Sequence, residues 1–283
     1  MTIAIAWLRR IGGTVELLLA SDSRLRSFGA MDQAQKLFRL HRGDCALAFC
    51  DDAQVAYPFF IQVATTLDNH IKTRTRAADL TQLISIAGQL LNQLIGAWDI
   101  LLQDKTRELS GTRILFGGWS PELQRFEVGF FKFDQGTFRF HHKKARTIHP
   151  WHESKRSLVF LGDHEADYMD TLRDVLEHRH GRPAQRNNDK IVVDFDYEPL
   201  EALYKLLDQR RPEHTAIGGS PQMVKIYRFG NTLPFVVRKA GGHYLLGRRL
   251  FDWEKTEYPV FDMAQDPPVI LYPLEHIPLP DQL

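Results

Sequence analysis

Two apolar runs divided by a pair of glycines open this chain, and they constrain its fold more than any other feature. Thr2-Ile3-Ala4-Ile5-Ala6-Trp7 alternates small or polar residues with apolar ones, and Arg9-Arg10-Ile11-Gly12-Gly13 turns it. Val15 to Ser21 then returns as a second apolar run, ending at Asp22-Ser23-Arg24. A period of two bounded by Gly-Gly reads as a β-hairpin. Gln35 to Leu40 follows as a third short strand and Asp44 to Phe49 as a fourth. The layout sets Thr2 at the edge of a buried hairpin, with an acid and a lysine on the neighbouring strands.

Further along, Asp51-Asp52 precedes a helical pattern with Val55, Phe59 and Val63 on one face, and acids suit a helix amino terminus. Pro58 requires either that the helix start near it or that its first turn be distorted. Ala78 to Gln103 reads as one long helix, its apolar residues from Leu80 to Leu102 recurring at spacings of three and four. Strand signals resume at Arg113 to Trp119, Arg125 to Phe133, Thr137 to Phe140 and Ser157 to Leu161. Gly162-Asp163-His164 then leads into a helix carrying Met169, Leu172, Val175 and Leu176. Another helix carries Leu200, Leu203, Tyr204 and Leu207. Strands from Gln222 to Phe229 and Pro234 to Val237 follow the turn Ile217-Gly218-Gly219-Ser220. Strand runs alternating with helix pairs point to stacked sheets covered by helices. Residues 2–240 read as one domain. Residues 241–283, rich in Pro and aromatics, read as an extension packed on it or at an oligomer contact.

Composition excludes more than it assigns. Lys+Arg 36 against Asp+Glu 35 leaves a net charge of +1, so nothing in bulk draws the chain to nucleic acid or a membrane. No apolar run approaches the ~20 residues of a membrane span, and no secretory pattern opens the chain, so the expected location is cytoplasmic. Cys45 and Cys50 make no disulfide framework, although a strand and turn there would bring them close. His141, His142, His149 and His152 lie in basic surroundings without carboxylate or thiol spacing, and read as solvated residues; no metal or other cofactor is expected. Phosphate-loop, dinucleotide and esterase-elbow motifs are absent from the sequence.

The terminus carries the chemistry. Removal of Met1 makes Thr2 a residue with both a hydroxyl nucleophile and an α-amine, whose reference pKa of about 7.7–8.0 leaves part of it neutral at working pH. A lysine nearby favours the alkoxide-like transition state, and an acid must hold the lysine. On spacing alone the plainer reading of Asp22-Ser23-Arg24, a strand-end turn with a surface ion pair, comes first.

A resemblance reverses that order. Thr2, Gly12-Gly13, Ala20-Ser21-Asp22-Ser23-Arg24, Lys36, Cys45 to Ala53, Ser157 to Tyr168 and Ile217-Gly218-Gly219-Ser220 occur in the order seen in proteasome β-type peptidases of the amino-terminal-nucleophile hydrolase superfamily. The chain resembles a divergent bacterial-type member over roughly residues 2 to 238. The resemblance implies a four-layer α/β/β/α sandwich of two antiparallel sheets, an α+β fold, with Thr2 as nucleophile and Lys36 and Asp22 as its electrostatic partners. Cys50 and Asp51 stand where the oxyanion-hole turn belongs, and Asp163, Gly218 and Gly219 at supporting turns. A peptide or other amide would be the substrate of this threonine peptidase. The resemblance further implies a homo-oligomer, ring-like in the family's habit, with room for a separate unfoldase or partner protein.

The chain departs from the family at specific residues. Phe49-Cys50-Asp51-Asp52 replaces a Gly-rich turn, Gly162-Asp163-His164 replaces Gly-Ser-Gly, and His214 stands where an acid precedes the Ser-Gly-Gly turn. Arg24 reads as structural, and Asp163-His164 equally as a helix cap. Two functions stay open: a threonine hydrolase, or a non-catalytic proteasome-like subunit serving as scaffold or partner-binding module.

Overall fold

A computed structural model describes residues 2–26, 29–142, 158–181, 194–209 and 216–272. The Gly-Gly break is a hairpin between β1 (Ile3–Ile11) and β2 (Thr14–Ser21), in register from Ala4 opposite Ser21 to Ile11 opposite Thr14. Arg9, Arg10 and Ile11 belong to the strand, not to the turn. Gly12 and Gly13 alone reverse the chain, at φ 51° and 83°. Two consecutive left-handed residues are what a two-residue turn matched to strand twist requires.

The remaining strands are β3 (Leu25–Arg26), β4 (Ala30–Met31), β5 (Leu37–Arg39), β6 (Cys45–Cys50), β7 (Arg113–Ser120), β8 (Arg125–Asp134), β9 (Thr137–His142), β10 (Val159–Gly162), β11 (Gln222–Tyr227), β12 (Asn231–Lys239), β13 (Gly242–Leu245), β14 (Arg248–Arg249), β15 (Val260–Asp262) and β16 (Val269–Leu271). One sheet runs β10-β1-β2-β11-β12-β13-β14 and takes in β15 and β16. A second is the meander β5-β6-β7-β8-β9, and β3 and β4 form a small hairpin between β2 and β5. Among the described residues all pairings are antiparallel except β12 with β15. Six helices are described: α1 (Ala53–Asn69), α2 (Ile71–Arg74), α3 (Leu80–Gly96), α4 (Leu102–Leu109), α5 (Glu165–His180) and α6 (Glu198–Asp208). None is long and apolar enough to cross a membrane.

Strand alternation explains the core. Ile3, Ile5 and Trp7 on one face of β1 pack with Leu18 and Ala20 against Tyr168, Leu172, Leu200 and Leu203 of α5 and α6. Ala4 and Ala6 on the other face join Leu17 and Leu19 against Leu37, Ala46, Ala48 and Leu115 of the second sheet. The far side of that sheet, through Leu47, Phe49, Phe116 and Phe131, packs on Phe59 and Val63 of α1 and Leu83 and Leu91 of α3. Both faces of β1 are thus covered, which is why its sequence is apolar at nearly every position.

Three sequence expectations change. The helix predicted over 78–103 ends at Gly96, followed by Ala97 whose N–H bonds the Gln93 carbonyl, and α4 is separate. Leu101 and Leu102, assigned to the apolar face, are exposed. Their spacing continued the period past a glycine that the helix does not outlast. Cys45 and Cys50 lie at opposite ends of β6, five positions or about 16 Å apart, and on opposite faces, so they cannot pair. Finally, part of the segment after Gly241 is regular: the second half of β12 pairs β13 on one side and β15 on the other. Pro58 sits within α1, beyond a first turn capped by the Asp52 carboxylate, which accepts from the Gln54 N–H at 2.7 Å. His149, His152, Ser157 and His214 lie outside the described residues.

Asp79 ties the start of α3 to the β7–β8 turn. Its carboxylate accepts from the Thr81 N–H and hydroxyl at 3.1 and 3.0 Å, the Ser120 hydroxyl at 2.9 Å and the Glu122 N–H at 3.2 Å. Burial alone would raise its pKa, but these donors outweigh it and hold the carboxyl below its ordinary value. The contribution is therefore complete above the unfolded pKa of about 3.9 and is lost as pH falls through the lowered folded value. Asp79→Ala is expected to cost about 1–2 kcal/mol at neutral pH and much less in acid, read from urea midpoints.

Candidate active site at the chain terminus

The end of β2 builds the site around Ile3. The Ser21 hydroxyl donates to the Ile3 carbonyl at 2.8 Å, and so does the Asp22 N–H at 3.3 Å. Asp22 Oδ1 in turn accepts the Ile3 N–H at 3.1 Å, so one residue grips both sides of the strand beside Thr2. Its Oδ2 accepts the N–H groups of Arg24, at 3.1 Å, and Gly218, at 3.2 Å. Every partner of this fully buried carboxylate is a donor.

The fourth donor is Lys36. Its Nζ lies 2.9 Å from Asp22 Oδ1 and 3.1 Å from Thr2 Oγ1. Lys36 has no exposed surface and Thr2 almost none. A buried ammonium beside a carboxylate requires close pairing, because neither charge keeps its water. The sequence put an acid and a lysine on the strands neighbouring Thr2; in the structure each lies just outside a strand, and in different sheets. Asp22 follows β2 in the first sheet, while Lys36 precedes β5 in the second, so its side chain reaches Thr2 from the opposite sheet.

The glycine turns serve close approach. The Gly218 carbonyl accepts from the Ser23 N–H at 3.0 Å, and a Cβ on Gly218 would stand 2.5 Å from the Arg24 guanidinium carbon. Gly219 has φ 76°, with Ser23 and Asp32 too near for any side chain. Arg24 is structural here: its guanidinium holds Asp32 through two bonds of 2.5 and 2.8 Å.

The two turns that depart from the resemblance are both closely defined. Asp51 adopts φ 82°, a conformation ordinarily left to glycine, and so bends the chain after β6. Gly162 pairs with Ile3, and the Asp163 N–H donates to the Thr2 carbonyl at 3.2 Å. Cys50, Asp51, Gly162 and Asp163 line a cleft of about 390 Å³ that also takes in Arg113 and Glu165. The helix cap read at Asp163-His164 takes another form: His164 holds the cap position of α5 at φ 59°, yet makes no side-chain cap bond. Its Nδ1 faces Asp167 at 3.2 Å. Among the described residues no group of His, Cys, Asp and Glu could hold a metal ion.

Sequence reasoning missed Gln222, whose buried amide bonds the main chain of both Lys36 and Asp22. The available signal was a lone polar residue opening the apolar run Met223-Val224. Cys50 borders the same site. Burial pushes its thiol up to about 12 despite the pull of Lys36, and its Sγ donates to the Leu161 carbonyl at 3.4 Å. Burial likewise raises the Cys45 thiol. Neither cysteine is expected to react with iodoacetamide near neutral pH while the protein is folded, and both should react on unfolding, as counted by intact mass.

This architecture fits a proteasome-like fold. One similar solved structure is the Anbu (Gly-1) mutant from Hyphomicrobium sp. strain MC1, with a TM-score of 0.50 and 14% identity over 83% of this chain and 87% of that one. At that identity the likeness is one of fold. No family model and no curated protein matches the chain.

Proposed function

We propose that this chain is an amino-terminal threonine hydrolase that cleaves peptide or other amide bonds once Met1 is removed. The observation that carries the reading is the buried Lys36 ammonium, within hydrogen-bonding distance of both the Thr2 hydroxyl and the Asp22 carboxylate. On this reading the freed α-amine of Thr2 takes the hydroxyl proton, and Oγ1 attacks the substrate carbonyl. Lys36, fixed by Asp22, stabilises the charge developing on Oγ1. On the same reading the oxyanion hole falls to backbone N–H groups of the Cys50-Asp51 bend. Collapse expels the amine, protonated by the α-ammonium, and leaves an ester on Thr2. Water activated by the same amine then releases the acid.

The fold reading that accompanies it is a four-layer α/β/β/α sandwich, supported by three separate apolar clusters, two between a sheet and helices and one between the sheets. Assembly into a homo-oligomeric ring in the cytoplasm, supplied by a separate unfoldase, belongs to the same proposal. A second reading, a non-catalytic subunit that binds partners, is favoured by two acids, Asp51 and Asp163, lining the cleft where the oxyanion would form.

Turnover separates the two. Protein whose intact mass shows loss of Met1 should hydrolyse members of a peptide-amide library, and Thr2→Ala should abolish it. Equal turnover by wild type and Thr2→Ala, or none from protein with a free Thr2, overturns the hydrolase reading.

A further inference from the structure

We propose that Gln222 is a positioning residue that holds Lys36 and Asp22 in register with Thr2 across the space between the two sheets. Gln222 opens β11, opposite Ser21 of β2, and is fully buried. Its Oε1 accepts the N–H groups of Lys36, at 3.0 Å, and Leu37, at 3.3 Å. Its Nε2 donates to the carbonyls of Asp22, at 3.0 Å, and Ala34, at 2.8 Å. Two lone pairs and two N–H groups are the whole capacity of a primary amide, and here all are used. The partners also fix its orientation, since a flipped amide would face two donors with its nitrogen and two acceptors with its oxygen.

The need for such a residue follows from where Lys36 lies. Residues 34–36 belong to no strand, so the Lys36 N–H has no ladder partner. The long lysine side chain has rotamer entropy to lose, and a drifting main chain would add to it. Gln222 fixes that main chain to the first sheet, the sheet that carries Asp22. The segment after β12 closes over the amide: a Cβ at Gly247 would stand 3.1 Å from Nε2 and 2.7 Å from the Ser23 Cβ. Through Gln222, residues near the end of the described chain bear on the terminus without touching it.

Gln222→Met removes all four bonds at similar volume, and Gln222→Glu keeps the acceptor toward Lys36 while losing the donors. Two readouts apply to each variant. The first is acetylation of lysines by an N-hydroxysuccinimide ester, mapped by peptide mass, with buried Lys225 on the same strand as internal control. Lys36 should become acetylated in Gln222→Met while Lys225 stays protected, and less so in Gln222→Glu. The second readout rests on the hydrolase reading: inactivation by a peptide epoxyketone should lose at least about tenfold in maximal rate with its half-saturation unchanged. Wild-type protection of Lys36 in the methionine variant overturns the proposal, as does joint exposure of Lys36 and Lys225, which marks general loosening. If the methionine variant does not fold, the glutamate variant decides by the same criteria. Wild-type protein that never reacts with the epoxyketone defeats the hydrolase reading alone, and the acetylation pattern still decides the role of Gln222.

Discussion

Lys36→Met is expected to destabilise the protein by about 3–5 kcal/mol and to slow reaction of Thr2 with an electrophile by at least about a hundredfold. The stability loss comes from what remains. Asp22 keeps three backbone N–H donors but loses the Lys36 ammonium, and its carboxylate is fully buried from bulk solvent. The reactivity loss has a different source, since Thr2 Oγ1 loses the ammonium 3.1 Å away. The two effects separate in the double variant. Lys36→Met/Asp22→Asn removes the stranded charge, so its urea midpoint should recover part of the lost stability while Thr2 stays slow. Equal stability of the single variant and wild type would mean that the buried pair contributes nothing to the fold.

Gly162→Ala is expected to cost at least about 3 kcal/mol, combining backbone strain with overpacking. Gly162 sits at φ 117°, and a Cβ there would overlap the Thr2 carbonyl oxygen, a main-chain atom that cannot swing away. Relief requires β10 to part from β1 where Gly162 faces Ile3, which moves Thr2 away from Lys36. Stability and Thr2 reactivity should therefore fall together, unlike in Gly12→Ala. There a Cβ has open space, φ 51° is the only penalty, and the site is distant along the strand. A wild-type denaturation midpoint for Gly162→Ala would show that this close approach is not rigid.

What could be read from sequence was what local chemistry encodes. The first hairpin is legible because two glycines separate alternating runs, and the ordered set from Thr2 to Ile217-Gly218-Gly219-Ser220 carries the resemblance. The arrangement of the site was only partly legible. Lys36 comes from the opposite sheet, and no spacing between residues 22 and 36 says which sheet a short strand will join. Asp51 keeps a glycine-like bend because Asp tolerates the left-handed region, a property of the backbone that a residue type only permits. Gln222 lies 186 residues from Lys36, and its four bonds exist only once both sheets are assembled. The end of α3 was misread because apolar spacing outlasts Gly96, whereas the helix does not. The strands after Gly241 are two to four residues long, too short to show a period; β13 and β15 form by pairing with β12, and β14 and β16 by pairing with those two.

Covalent labelling of Thr2 tests the central claim most directly. Purified protein with Met1 removed is treated with a peptide epoxyketone, and the adduct is located by peptide mass. The account predicts a single adduct on the amino-terminal peptide at Thr2, lost in Thr2→Ala and strongly slowed in Lys36→Met. Protein with a free Thr2 that stays unlabelled, or an adduct that persists in Thr2→Ala, would contradict it.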